Sequence, residues 1–225
     1  MRLPEAIPSL GRFLLLARLF EKAGYDAINC DGALQLDYYK KIKDAVGIPA
    51  IIAGRMNDPE LSSRLVKEGY ADGISMGRPL PADPYYVNKL KSNRPEEIRH
   101  CLACNQGCIG RILSGSMVSC AINATAGTLR SIQLEPVERP RKVMVVVGGI
   151  AGMEAARVAA LRGHEVSLYE KTDRLGGVFI AAASFEFKED NKKLIDWYRL
   201  QMQECDVDVH LNTVVTPALV EQLKP

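Results

Sequence analysis

The sequence predicts an α/β chain built from parallel strands, and three observations carry that expectation. Over about the first hundred residues an amphipathic helix followed by a short apolar strand ending in Gly, Asn or Arg recurs, the pattern of βα units. A second α/β unit opens at Lys142 with a valine-rich strand, a glycine turn and an alanine-rich helix. Between them, four cysteines crowd into twenty residues of poor periodicity, as expected where metal bonds replace an apolar core.

The elements follow in order. A helix from about Leu10 to Ala23 leads to a strand at Asp26–Asn29, and a helix from Leu36 to Val46 leads, past the Gly47 and Pro49 break, to a strand at Ala50–Ala53. Asp58 and Pro59 supply an N-cap and a first-turn proline for a helix to about Glu68, Gly69 stops it, and Asp72–Met76 forms the next strand. Three successive parallel strands fall short of the eight strands and roughly 200 residues of a closed barrel. Residues 94 to 135 are rich in Gly, Ser and Asn, and the run from Glu135 to Arg141 reads as a linker. Beyond it come a strand at Val143–Val147, a helix at Ala151–Arg162, a strand at Glu165–Tyr169 and a turn at Gly176 and Gly177. A helix from Asp190 to Glu204, a strand at Val207–Leu211 and a short helix at Pro217–Leu223 complete the expectation.

Composition narrows the function classes. With 47% apolar and 25% charged residues the chain is ordinary globular material, and a net charge of +2 gives no basic surface for nucleic acid. The longest apolar stretch, Val143 to Met153, is eleven residues, shorter than the roughly 18 a membrane span needs. Phe13 to Phe20 has the look of a secretory core, but Arg12, Arg18 and Glu21 fall at helical spacing around it, which favours an amphipathic helix. Cysteine crowding without secretory features favours metal ligands in a reducing compartment, so the expected location is cytoplasmic and the expected chemistry acts on small molecules.

The pattern Cys101-x2-Cys104-x3-Cys108-x11-Cys120 puts three thiolates within eight residues, so one compact loop can wrap an inorganic core that the fourth closes. Zinc usually pairs two C-x2-C knuckles or mixes in histidine, whereas Cys108 and Cys120 stand alone. A 4Fe-4S cluster is the first reading and zinc the alternative. Cys30 and Cys205 lack partner spacing and read as half-buried structural thiols. His100 reads as a neighbour of the ligands rather than one of them.

Two further patterns point to phosphate. Gly54-Arg55 and Gly77-Arg78 each follow an expected strand, 23 residues apart, where backbone N–H groups and a cation of a parallel barrel can meet an anion. Val143–Val147, then Gly148 and Gly149, then Gly152, with acidic Glu170 eighteen residues later, outline a dinucleotide fingerprint. The first glycine of that pattern is replaced by Val147. A valine driven toward positive φ costs on the order of 1–3 kcal/mol, which loosens the loop without abolishing the fold. An α/β unit that binds no nucleotide remains the alternative.

Nearly the whole chain resembles the multidomain flavin ene-reductases that include 2-enoate reductase and 2,4-dienoyl-CoA reductase, relatives of trimethylamine dehydrogenase. The similar stretches are Ile48-Pro-Ala-Ile-Ile-Ala-Gly-Arg-Met, Asp72-Gly-Ile-Ser-Met-Gly-Arg-Pro with Ala82-Asp83-Pro84, Cys101-Leu-Ala-Cys-Asn-Gln-Gly-Cys, Ser119-Cys-Ala-Ile-Asn, Gly152-Met-Glu-Ala-Ala and Tyr169-Glu-Lys-Thr-Asp-Arg-Leu-Gly-Gly. The resemblance implies the C-terminal part of a TIM barrel over 1–93, an iron–sulfur segment over 94–135 and an incomplete Rossmann-like FAD/NAD(P)-binding domain over 136–225. It implies an FMN phosphate on Gly54, Arg55, Gly77 and Arg78, and a 4Fe-4S cluster on Cys101, Cys104, Cys108 and Cys120. FAD would lie on Gly149 and Gly152 at the pyrophosphate and Glu170 at the ribose, with Ala151, Lys171 and Gly176 in the same site.

Electrons in such enzymes pass from NAD(P)H to FAD, through the cluster to FMN, and on to an activated C=C bond of an enoate or enoyl thioester. Compared with the family, the chain is expected to be a fragment that begins near the fifth or sixth barrel strand and ends before the FAD domain closes. The loop that carries family proton donors shrinks to Cys30 to Gln35, so no catalytic acid is assigned and FMN is expected to bind weakly or not at all. Expected partners are a small unsaturated substrate and a complementing chain or second copy, without nucleic acid or membrane. The rival readings are an electron-transfer module and a nonfunctional remnant.

Overall fold

The structure is a computed structural model that describes residues 10–31, 36–127 and 134–225. Most of the shortened loop from Cys30 to Gln35 lies outside the described residues. These form two compact units that divide between Leu80 and Pro81, and both are α/β with parallel sheets, as expected. Among the described residues no helix is long and apolar enough to cross a membrane.

In the first unit, helices α1 (Leu10–Lys22), α2 (Leu36–Ala45) and α3 (Pro59–Lys67) accompany strands β1 (Ile28–Asp31), β2 (Ala50–Ala53) and β3 (Gly73–Ser75). The strands pair in parallel in the order β1-β2-β3, with Ile28 opposite Ala50 and Ile51 opposite Gly73. Helix α3 starts where Asp58 caps it: its carboxylate accepts from the N–H groups of Glu60 at 2.9 Å and Leu61 at 3.1 Å, satisfying donors the helix cannot. Asp72 ties β2 in place by accepting from the Ala50 N–H at 2.9 Å while pairing with Lys43 at 2.5 Å. The bond from Lys43, then that from Ala50, holds its carboxyl below the usual range. Tyr39, Ile52, Met56, Leu65 and Ala71 form the core. Helix α1 buries Ala17 but leaves Leu15, Leu16, Leu19 and Phe20 exposed.

Short helix α4 (Pro79–Ala82) spans the division, and in the second unit short helices α5 (Tyr86–Lys91) and α6 (Ile109–Leu113) precede the glycine turn. Strands β4 (Lys142–Val146), β5 (Glu165–Tyr169) and β6 (Asp208–His210) follow, with helices α7 (Ile150–Leu161), α8 (Phe179–Ala182), α9 (Glu189–Glu204) and α10 (Pro217–Leu223). Strand β5 is central, flanked by β4 and β6. Helices α7 and α9 bury Met153, Ala156, Leu194, Trp197, Tyr198 and Met202 against Val166 and Leu168. Leu102 and Ile122 pack on this core from the cysteine segment, so that segment is anchored by apolar burial.

Candidate functional site

The two Gly-Arg corners stand on neighbouring strands of the first unit. Ala53 lies opposite Ser75 in the β2–β3 ladder, so Gly54-Arg55 and Gly77-Arg78 leave the sheet at the same edge. The chain turns through φ +97° at Gly54 and +51° at Arg55, and Arg55 is exposed. Space is open around Gly77. An anion at this edge could meet backbone N–H groups and a guanidinium together.

The four cysteines lie in the second unit. Cys104 is exposed and Cys101, Cys108 and Cys120 are half-buried. Left-handed residues on either side of Cys104, Ala103 at φ +53° and Asn105 at +60°, fold this arm back on itself. The Ala103 N–H points at the Cys101 sulfur at 3.4 Å, and helix α6 begins just after Cys108. The Cys120 arm crosses at Gly107, whose carbonyl accepts from the Ser119 N–H at 2.7 Å. A Cβ on Gly107 would stand 2.8 Å from the Ser119 oxygen and 2.9 Å from the Cys120 Cα, so only glycine permits the approach. Among the described residues no three or more His, Cys, Asp or Glu side chains converge on one ion. A four-iron core binds each thiolate through a different iron and so needs ligands spread around it rather than meeting at one point. In type and number the donors fit such a core.

The glycine turn carries the second site. Val147 leaves β4 at φ +102°, a region costly for a β-branched residue; the expected strand end at Val147 therefore moves to Val146. Gly148 packs on Glu170, where a Cβ would lie 3.0 Å from the Glu170 Cβ. Its N–H donates to Glu170 Oε2 at 2.8 Å, and Oε1 accepts from the N–H and hydroxyl of Thr172 at 2.9 and 2.8 Å. Burial pushes the Glu170 pKa up, but the N–H groups of Thr172 and Gly148, the Thr172 hydroxyl and the Lys171 charge outweigh it, and the carboxyl sits below its usual range. Gly149 bridges Gly176, whose N–H donates to the Gly148 carbonyl at 2.8 Å. Among the described residues no side chain caps α7 at Gly149, so the N–H groups of its first turn, around Ala151 and Gly152, have no intrahelical acceptor and a phosphate could take them. Lys171 is exposed beside Glu170.

Cys30 and Cys205 are half-buried, with thiols raised by burial. Gly107, Arg99 and Trp197 were given no role by sequence reasoning, and of these Gly107, inside the cysteine run, was the one whose position carried a signal.

Residues 12–97 match the NADH:flavin oxidoreductase / NADH oxidase family, and residues 145–196 match an NAD(P)-binding Rossmann-like domain. Over 223 residues the chain is 39% identical to cinnamate reductase of Clostridium sporogenes, covering 92% of this chain and 34% of that protein. It is 37% identical over 219 residues to a metal reductase of Desulforamulus reducens, covering 90% and 33%. A solved complex of 2-naphthoyl-CoA reductase with 2-naphthoyl-CoA is similar with a TM-score of 0.87 at 30% identity, over 93% of this chain and 35% of that one. Histamine dehydrogenase from Rhizobium sp. 4-9 gives 0.80 at 25% identity, over 91% and 33%. The chain spans about a third of the length of the curated relatives it matches.

Proposed function

We propose, from the premise that this chain belongs to the NADH:flavin oxidoreductase / NADH oxidase family, that it is the electron-relay portion of an iron–sulfur flavoprotein that reduces an activated C=C bond. The substrate class is an enoate or enoyl thioester, in keeping with relatives named for cinnamate and 2-naphthoyl-CoA. The observation that carries the reading is the crossing of the two cysteine arms at Gly107, in the same unit as the glycine turn.

Cys101, Cys104, Cys108 and Cys120 would hold the cluster, the N-terminus of α7 with Gly149, Ala151 and Gly152 the FAD pyrophosphate, and Gly54, Arg55, Gly77 and Arg78 the FMN phosphate. When bound, these groups supply the redox chemistry, the flavins handling paired electrons from NAD(P)H and the cluster single ones. The chain's own residues bind and orient. Glu170 braces the glycine turn through Gly148 and keeps a carboxylate at the end of β5, where a ribose hydroxyl can donate to it. The Ala103 N–H stabilises negative charge on the Cys101 sulfur.

Anaerobic purification with iron and sulfide analysis tests the reading. About four irons per chain and broad absorption near 400 nm are expected; one zinc and no colour would replace the relay with a structural metal site.

A further inference from the structure

Arg99 precedes Cys101 by two residues and is 7% exposed. A guanidinium withdrawn this far from water is costly unless anions or strong acceptors replace its hydration. Its Nη1 donates to the Ile122 carbonyl at 2.7 Å, and its Cζ lies 4.2 Å from the centre of the Trp197 ring. Trp197 is fixed in turn, because its Nε1–H donates to the Glu97 carbonyl at 2.7 Å on the chain entering Arg99. The nearby carboxylates are committed elsewhere: Asp83 pairs with Lys89 at 2.6 Å and takes the Arg99 backbone N–H, and Glu154 holds Arg157 through two bonds. Among the described residues no carboxylate is in ion-pair contact with the Arg99 guanidinium.

Ile122 stands two residues after Cys120. The Arg99 side chain therefore reaches from the backbone that leads into Cys101 to the backbone that leaves Cys120, and stacking on Trp197 seats both arms on the core of the nucleotide-binding unit. We propose that Arg99 is a positioning residue of the cysteine loop whose fixed positive charge offsets a bound cluster and raises its reduction potential. The proposal rests on the four-thiolate reading above. A cubane held by four thiolates is a net anion and gains one more negative charge on reduction, so a buried cation nearby favours the reduced state. Glu154 and Asp83 act on this cation only at a distance, and a bound cluster would add an anion beside it.

The test uses the anaerobically reconstituted chain, with Arg99→Gln removing the charge at similar length and Arg99→Lys keeping it. Iron content and the midpoint potential from a dye-mediated redox titration are the readouts. The expected result is four irons in the wild type, a shift to more negative potential in Arg99→Gln, and a potential near the wild-type value in Arg99→Lys. An iron-loaded Arg99→Gln at the wild-type potential would overturn the proposal. If Arg99→Gln retains no iron, Arg99→Lys decides: loaded at the wild-type potential it supports the charge, and empty it overturns it in favour of the planar fork alone. A wild type without iron defeats the cluster reading itself, a result distinct from an unshifted potential.

Discussion

The carbonyl oxygen of Val147 occupies the place that a side chain on Gly152 would need, and Val147 bends through φ +102° to put it there. The strained valine and the bare glycine are two halves of one contact between the end of β4 and the first turn of α7. Glycine at 152 lets the helix close on the strand, and the valine accepts the backbone cost of the turn.

Replacing Val147 by glycine should relieve that cost. Strain of about 1–3 kcal/mol is partly offset by the greater freedom of an unfolded glycine, about 0.4–1 kcal/mol. The expected net gain is about 1 kcal/mol, seen as a melting temperature roughly 2–4 °C higher. ADP, which needs only the adenosine half of the site, should bind about fivefold tighter in a calorimetric titration, the same energy expressed as affinity. Equal or weaker binding would mean the turn is not strained against the ligand.

Gly152→Ala should do the opposite. Its methyl group meets backbone rather than a movable side chain, so α7 must shift off β4, at about 1–3 kcal/mol. The urea midpoint should fall and ADP binding should weaken with it. An unchanged midpoint would show that the helix yields freely.

Glu170→Gln should destabilise the second unit by about 1–3 kcal/mol at neutral pH, because the amide nitrogen must face a donor, either Gly148 N–H or the Thr172 pair. The folded-state pKa of Glu170 is depressed, so its contribution is fully present above the unfolded value of about 4.3 and is lost as pH falls through the folded value. Unfolding free energies of wild type and variant should therefore converge on the acid side. A gap that stays constant from neutral pH into the acid range would show that the carboxylate's charge is not what stabilises the turn.

Gly107→Ala should separate the cysteine arms while sparing the nucleotide-binding core. Its Cβ would press on the Ser119 oxygen and Cys120 Cα, both backbone atoms, so the Cys120 arm must move. Iron recovered per chain should drop at least twofold, and ADP binding at the glycine turn should not change. Full iron retention would place the flexibility of the loop above the demand for contact at Gly107.

Local chemistry made much of the fold legible. Asp58 and Pro59 announced α3 and the structure starts it there; Glu165–Tyr169 and Pro217–Leu223 have the bounds expected of them. These elements are encoded by caps and periodicity within a few residues of one another. Strand β1 was expected at Asp26–Asn29 and lies at Ile28–Asp31, because its register is set by pairing Ile28 with Ala50, a neighbour 22 residues away. Helices α5 and α6, of six and five residues, are too short to show a period.

The sequence by itself determined the order of the parallel units, the spacing of the four thiols and the oddity of Val147, since each is a matter of residue type and count along the chain. Only the tertiary structure decided that Val147 turns through positive φ, that Glu170 closes on Gly148, that Gly107 touches the Cys120 arm and that Arg99 lies buried on Trp197, nearly a hundred residues away. Burial and close approach belong to pairs of segments, and packing of α7 and α9 over the β4-β5-β6 sheet supplies the second member of each pair.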